Sequence, residues 1–102
     1  MDFKLFNAKV AAIISLLPDY ENGLRQDPID MLYSTGELIK STTSEFPFND
    51  LPINIRRYFL GGSKMIAYVG LMIIKKESAE LIFDVLIAAK LMFEKSFIKE
   101  VM

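Results

Sequence analysis

The chain contains no cysteine and no histidine. Without cysteine, these residues can form no disulfide, zinc–thiolate site, iron–sulfur cluster or thiol nucleophile. Without histidine, they lack the side chain that most often acts as a general base near neutral pH, which is also the commonest metal ligand. These absences remove most of the chemistry that small enzymes use. We therefore expect a protein that is not an enzyme and that holds no metal and no cofactor.

A long hydrophobic run is also missing, although the mean hydropathy of +0.29 is high. The longest uncharged apolar run covers residues 65–74, whereas a membrane-spanning helix needs about twenty residues. The first apolar stretch, 3–17, follows an acidic residue and lacks a small-residue cleavage site, so it is a poor signal peptide. These features predict a cytoplasmic protein whose extra hydrophobicity lies in a packed core or an apolar docking face.

The chain has no overall excess of charge, because 12 basic and 13 acidic residues nearly cancel. Residues 1–50 hold eight acidic and four basic residues, a net charge of −4, and residues 51–102 hold five and eight, a net charge of +3. This asymmetry could let the two halves attract each other or mark a basic working surface in the second half. Ordinary scatter of charges on a solvated bundle explains it better. A pI near 5.4 argues against a nucleic-acid-binding protein.

Four segments carry apolar residues at helical spacing. They predict one all-α domain, an antiparallel four-helix bundle with helices at about residues 2–17, 28–43, 51–69 and 76–99. The predicted core positions are Phe3, Phe6, Val10, Ile13, Leu17, Ile29, Leu32, Gly36, Ile39, Ile53, Ile55, Phe59, Ile66 and Val69, followed by two adjoining stripes of the fourth helix, Leu81, Val85, Ala88 and Met92, and Ile82, Leu86, Ala89, Phe93 and Phe97.

Start and stop signals set the predicted boundaries. Pro18 ends the first helix, and Asp27-Pro28 opens the second with a capping carboxylate and a proline at the first helical position. Gly61-Gly62 falls inside the third helix, which we predict to be continuous but weak, with another helix approaching closely there. Gly70 is predicted to end it.

Two connectors follow from the same signals. Residues 71–74 read equally as a connector or a short strand. Residues 45–50 form a polar connector whose two phenylalanines, Phe46 and Phe48, are expected to close one end of the core.

Carboxylates are the remaining groups for acid–base or cation chemistry. Asp27 with Asp30, and Glu77 with Glu80 and Asp84, have spacings that share a helix face. Their positions in the first turns of helices, where the helix dipole favours acids, explain them without a site. The run Gly61-Gly62-Ser63-Lys64 lacks the spacing of a phosphate-binding loop.

Two surface features are open to a binding role. Arg56, Arg57 and Tyr58, followed by Lys64 and Tyr68, could contact phosphates and stack a base, but solvated residues on a helix explain them better.

Near the end of the chain, Phe97, Ile98 and Val101 lie among charges. They indicate either a last turn packed on the core or a hydrophobic docking tail.

Three segments resemble the immunity proteins against pediocin-like bacteriocins, the enterocin A immunity family. The segment PIDML, residues 28–32, follows an acidic turn, and LPINIR, residues 51–56, is similar to the apolar-x-x-Arg opening of the family's third helix. The segment IIKKES, residues 73–78, resembles the link into the fourth helix. The similarity covers about residues 27–89 and lies in layout more than in letters.

This resemblance implies a four-helix bundle, cytoplasmic or peripheral at the inner face of the membrane, that protects a Gram-positive cell from the antimicrobial peptide without destroying it. The implied partner is the membrane-embedded mannose phosphotransferase permease with a pediocin-like bacteriocin bound, and the implied specificity lies in the C-terminal half. We hypothesise that the partner-binding surface includes Arg56, Arg57, Lys64, Phe93, Phe97 and Ile98.

Other classes of function remain open. A small helical regulator, such as an antitoxin or a phage accessory protein, could act through a soluble partner or as a homodimer that buries the apolar C-terminal helix. An enzyme that uses carboxylates alone is a more distant alternative.

Overall fold

The computed structural model describes residues 3–24, 27–45 and 47–98. Four α-helices form there, α1 Phe3–Leu16, α2 Pro28–Glu45, α3 Ile53–Ile74 and α4 Ala79–Lys95, and a short 3-10 helix covers Phe48–Asp50. The described ranges contain no β-strand, only an isolated bridge between Asp19 and Gly23. The predicted all-α class is therefore confirmed. Position 2, the start of the first predicted helix, lies outside the described residues. The fourth helix is shorter than its predicted range of 76–99, because α4 begins at Ala79 and ends at Lys95.

The helices pack in a ring, because α1 and α3 each contact both α2 and α4. Contacts show the relative direction of two pairs of helices. Residues 75–78 connect α3 to α4, and Gly62 contacts Phe93, which lies about as far after this connection as Gly62 lies before it. Asn7 bonds Ile98 near the start of α1, whereas Asp19 pairs with Lys90 beyond its end. Both α3 and α1 therefore run antiparallel to α4.

The turn after α1 is built from local hydrogen bonds. Pro18 lies two residues after Leu16, the last residue of α1, in agreement with its predicted role of ending the helix, and it is buried. The Asp19 carboxylate accepts a 2.6 Å hydrogen bond from the Asn22 backbone N–H. Gly23 follows with a φ of +67°, a conformation that glycine adopts without steric cost.

The start of α2 agrees with its prediction, since the Asp27 carboxylate accepts a 2.9 Å hydrogen bond from the Ile29 backbone N–H. Of its predicted stripe, Leu32 and Ile39 are partly buried and pack on the core, but the fully buried residues are Met31, Thr35 and Thr42. Each threonine can be buried because its hydroxyl donates to the carbonyl oxygen four residues earlier, at 2.6 and 2.7 Å.

Four predicted core residues in the first turns of their helices are exposed. The exposed fractions are 38% for Phe3, 63% for Ile29, 57% for Ile53 and 45% for Leu81. Phe3 shares the stripe of Phe6 but precedes its first buried residue, whereas Ile53 lies on the side of α3 opposite the buried residues of that helix. The other positions of that α4 stripe are partly buried, and Ile82, Leu86, Ala89 and Phe93 are buried.

Phe59 lies at the centre of the core. Its ring centroid is 5.8 Å from that of Phe6 in α1, 5.4 Å from that of Phe93 in α4 and 5.4 Å from that of Phe48. Phe48 thus packs on the core as predicted for the connector. Phe46, the other phenylalanine of that prediction, lies outside the described residues.

Helix α3 differs from its prediction at both ends. It begins at Ile53 after Pro52, rather than at 51, and it continues through Gly70 to Ile74. Residues 71–74 are thus helical, neither connector nor strand. Glycine lowers helix propensity by only about 1 kcal/mol, and burial of Met72 retains the helix beyond Gly70.

The end of α3 is a left-handed turn formed without glycine. The Glu77 N–H donates to the Met72 carbonyl and the Lys76 N–H donates to the Ile73 carbonyl, each at 3.0 Å. Lys76 has a φ of +59°, where glycine is the usual residue. After this turn α4 begins at Ala79, with the Ser78 hydroxyl accepting from the Leu81 N–H at 3.2 Å.

Gly62 allows the close packing of α3 on α4. The helix is continuous through Gly61 and Gly62, as predicted. A Cβ at Gly62 would lie 2.8–2.9 Å from three ring atoms of Phe93, which is fully buried. A Cβ at Gly61 would meet only the flexible end of the Met92 side chain. The helices therefore touch through the backbone of Gly62.

The variant Gly62→Ala is expected to lower the free energy of unfolding by about 1 kcal/mol, because overpacking against the Phe93 ring exceeds the gain in helix propensity. The matched control is Gly70→Ala. A Cβ there meets nothing within 4 Å, so it should raise the free energy of unfolding by about 0.5–1 kcal/mol. Urea denaturation measures both. Equal effects of the two variants would contradict the close contact.

The variant Lys76→Gly is expected to raise the free energy of unfolding by about 1 kcal/mol, because glycine relieves the left-handed strain at this position. Lys75→Gly is the control. Lys75 has a φ of −78°, so glycine there brings only its entropic cost and should destabilise the fold. Thermal unfolding monitored by circular dichroism distinguishes the two, and stabilisation by Lys75→Gly rather than Lys76→Gly would refute the assignment of this turn.

Candidate functional site

The predicted carboxylate groups lie at or near the starts of α2 and α4. Across the three described ranges, no cluster of three or more acidic residues could hold a metal ion. Asp27 caps α2, and Asp30 and Glu80 lie exposed in the first turns of α2 and α4. Their positions are those that the helix dipole favours.

The paired arginines have different surroundings. Arg56 is half-buried and its Nε donates a 3.1 Å hydrogen bond to the Leu51 carbonyl oxygen. It therefore fastens the turn before α3. Arg57, one position further, is exposed, as are Lys64 and Tyr68. The predicted basic patch is thus divided: Arg56 turns back to the backbone, half-buried Tyr58 lies beside Lys95 of α4, and Arg57, Lys64 and Tyr68 share the solvent side of α3.

Phe93 does not lie on the surface. Its side chain is fully buried between Phe59 and the backbone of Gly62. The hypothesis that Phe93 contributes contact area to a partner is corrected accordingly: the periodicity that places it on an apolar stripe also places it at the centre of the core.

The chain after α4 is fastened to α1. The Asn7 side-chain amide donates to the Ile98 carbonyl oxygen and its Oδ1 accepts from the Ile98 N–H, both at 2.9 Å. Phe97 and Ile98 are partly buried and pack on the core. Phe97 and Ile98 therefore belong to a last turn that packs on the core. Val101, the third residue of the predicted docking tail, lies outside the described residues.

A hollow of about 450 Å³ lies beside this segment, and we call it the C-terminal hollow. It is lined by Tyr58 from α3, by Leu91, Glu94 and Lys95 from α4, and by Phe97. The Lys95 Nζ lies 5.7 Å from the Tyr58 ring centroid, within the range of a cation–π interaction. The hollow therefore combines apolar walls with two opposite charges.

Of the residues that line the hollow, only Phe97 belongs to the partner-binding surface predicted from the sequence. The sequence also indicates a second lining residue, because Leu91 belongs to neither predicted core stripe of the fourth helix. A large apolar residue outside the core stripes is a candidate surface contact. Leu91 is 53% exposed. Tyr58 and Lys95 carry no such signal, because their approach depends on how α3 and α4 cross.

A second hollow, of about 370 Å³, lies between α2 and α3. Small residues, among them Gly36, Ala67 and Gly70, leave the space between the two helices unfilled there. It has no charged lining residue, and the hydroxyl of Ser63 already donates to the Phe59 carbonyl oxygen. This hollow lacks the polar groups that orient a ligand.

The solvent side of α3 is unusual in composition. Its exposed apolar side chains are Ile53, Leu60, Tyr68, Leu71 and Ile74. Arg57, Lys64 and Lys75 are exposed among them at helical spacing. We call these eight residues the outer face of α3.

Comparison of the sequence with protein-family models and with curated proteins, and of the fold with solved structures, gives no significant match. The resemblance to the enterocin A immunity family therefore depends on the segments quoted above and stays a prediction. Among the described helices, none combines the length and the apolar character needed to cross a bilayer.

Proposed function

We propose that the chain is a non-catalytic immunity protein that protects a Gram-positive cell against pediocin-like bacteriocins. It binds the bacteriocin-engaged mannose phosphotransferase permease from the cytoplasmic side. The observation that carries the proposal is the C-terminal hollow, formed by the last turns of α4 and by Phe97. The family resemblance assigns specificity to this part of the chain.

The physical character of the hollow suits a protein partner. Its apolar walls offer Leu91 and Phe97, and its charges, Glu94 and Lys95, lie at adjacent positions. Such an apolar centre with polar groups around it is typical of protein interfaces. Binding at this place needs a rigid scaffold rather than a catalytic group.

The segment that forms the hollow is held before any partner arrives. The two hydrogen bonds between Asn7 and Ile98 fix the backbone next to Phe97. A preformed site loses less conformational entropy on binding than a mobile tail does. This supports recognition by a fixed surface.

Leu91 is the most suitable residue for a test. It is 53% exposed, so a change there leaves the core intact. Phe97 also packs on the core, and its replacement would alter stability and binding together. Leu81 provides the control, because it is 45% exposed on the same helix and does not line the hollow.

The test is a protection assay in a sensitive Gram-positive strain, challenged with a panel of pediocin-like bacteriocins. The unaltered chain should protect selectively against one or a few of them. Leu91→Glu should reduce the tolerated bacteriocin concentration by about tenfold or more, as loss of an interface anchor does. Leu81→Glu should keep protection, and both variants should unfold at the same temperature as the unaltered chain.

Uniform sensitivity to the panel despite normal expression would contradict the immunity function. Equal loss of protection in both leucine variants would contradict the role of the hollow. A homodimer seen by light scattering and broken by Leu91→Glu would instead favour the helical regulator that acts through a second copy.

A further inference from the structure

The outer face of α3 has few of the uncharged polar and acidic side chains that normally face water. A solvent-facing helix surface in a globular protein carries mostly charged and polar residues. Helix α3 contains no acidic residue, and Asn54 and Tyr68 are its exposed residues with an uncharged polar group. Ile53 is 57% exposed, Leu71 52% and Ile74 77%. The helix is thus apolar on both sides, with cations added on the outside.

This face runs along the whole helix. Helix α3 has 22 residues, which corresponds to a length of roughly 33 Å. Arg57, Lys64 and Lys75 are spread along this length and are exposed. The face is therefore a straight ridge in which apolar side chains alternate with positive charges.

We propose that the outer face of α3 docks on an anionic phospholipid bilayer surface. In this arrangement α3 lies parallel to the bilayer plane and its apolar side chains enter the boundary between headgroups and acyl chains. The long stems of Arg57, Lys64 and Lys75 place their charges among the lipid phosphates. The proposal uses a different surface from the C-terminal hollow and does not depend on the immunity function.

A second copy of the chain fits this face poorly. Lys64 lies midway along it, eleven residues from both Ile53 and Lys75. A twofold axis that pairs this face with the same face of a second copy therefore places Lys64 of one copy against Lys64 of the other. The face supplies no acidic group to compensate this repulsion.

A specific protein partner fits less well than lipid. Protein interfaces make about one hydrogen bond per 100–200 Å² and use both donors and acceptors. The outer face of α3 offers three cations and one tyrosine hydroxyl, with no carboxylate, and Asn54 beside Ile53 adds a single amide at one end. Cations combined with apolar side chains match an anionic bilayer, whose headgroups are negative and whose acyl region beneath them is apolar.

The test is co-sedimentation of the full chain with vesicles of equal parts phosphatidylglycerol and phosphatidylcholine, compared with vesicles of phosphatidylcholine alone. We expect the partition coefficient to be at least about tenfold higher on the anionic vesicles and to fall as salt is raised. Lys64→Gln should weaken binding about fivefold, the effect of one basic residue near an anionic surface.

Leu71→Glu and Leu91→Glu form the matched pair, because the two leucines are equally exposed on different helices. Leu71→Glu should reduce vesicle binding about tenfold or more, since it removes an inserted side chain and adds a negative charge. Leu91→Glu should leave vesicle binding unchanged. Circular dichroism verifies that both variants are folded.

Four results would overturn the proposal: no binding to anionic vesicles, equal binding to both vesicle types, equal effects of the two leucine variants, or a dimer in solution that Leu71→Glu dissociates. The outcome is separate from that of the protection assay. A chain that binds vesicles but gives no protection would refute the immunity function alone, and the reverse result would refute the lipid docking alone.

Discussion

The contact between the Gly62 backbone and the Phe93 ring is the constraint on which the bundle depends. Because no side chain separates the two helices at this level, the Phe93 ring reaches Phe59, whose ring also packs on Phe6. One glycine therefore lets a ring from α4 enter the centre of the core. The same contact sets the rotation of α3: the side with Gly62 faces inward, and the opposite side faces solvent.

Several features of the fold follow from local signals in the sequence, and others depend on tertiary packing. The Asp27 cap and the break at Pro18 are local, so their positions could be predicted. Helix α3 continues through Gly70 to Ile74, with Met72 buried beyond the glycine, and the left-handed residue of the turn that follows is Lys76 rather than a glycine. The buried threonines of α2 could not be predicted from the hydrophobic pattern. A threonine whose hydroxyl donates to a carbonyl of its own helix can be buried like a small apolar residue.

The candidate surfaces could likewise be predicted only in part from the sequence. Composition indicates that the second half is basic and apolar, but it cannot show which of two adjacent arginines turns back to the backbone. It also cannot separate a core phenylalanine from a surface one when both lie on an apolar stripe, as Phe93 and Phe97 do. What the sequence does contain are large apolar residues outside the core stripes, Leu91 and Leu71. They mark the hollow and the outer face of α3, which are the two surfaces that the proposals use.

The orientation of α3 is the central claim, and methyl-resolved NMR with a soluble paramagnetic probe measures it directly. We expect strong relaxation enhancement for the methyl groups of Leu60, Leu71 and Ile74, and protection of those of Ile66, Val69 and Met72, which are at most 5% exposed. Protection of Leu60 and Leu71, with enhancement of Ile66 and Val69, would show that α3 is rotated and that Gly62 does not face Phe93. That result would contradict both the packing of the bundle and the surfaces derived from it.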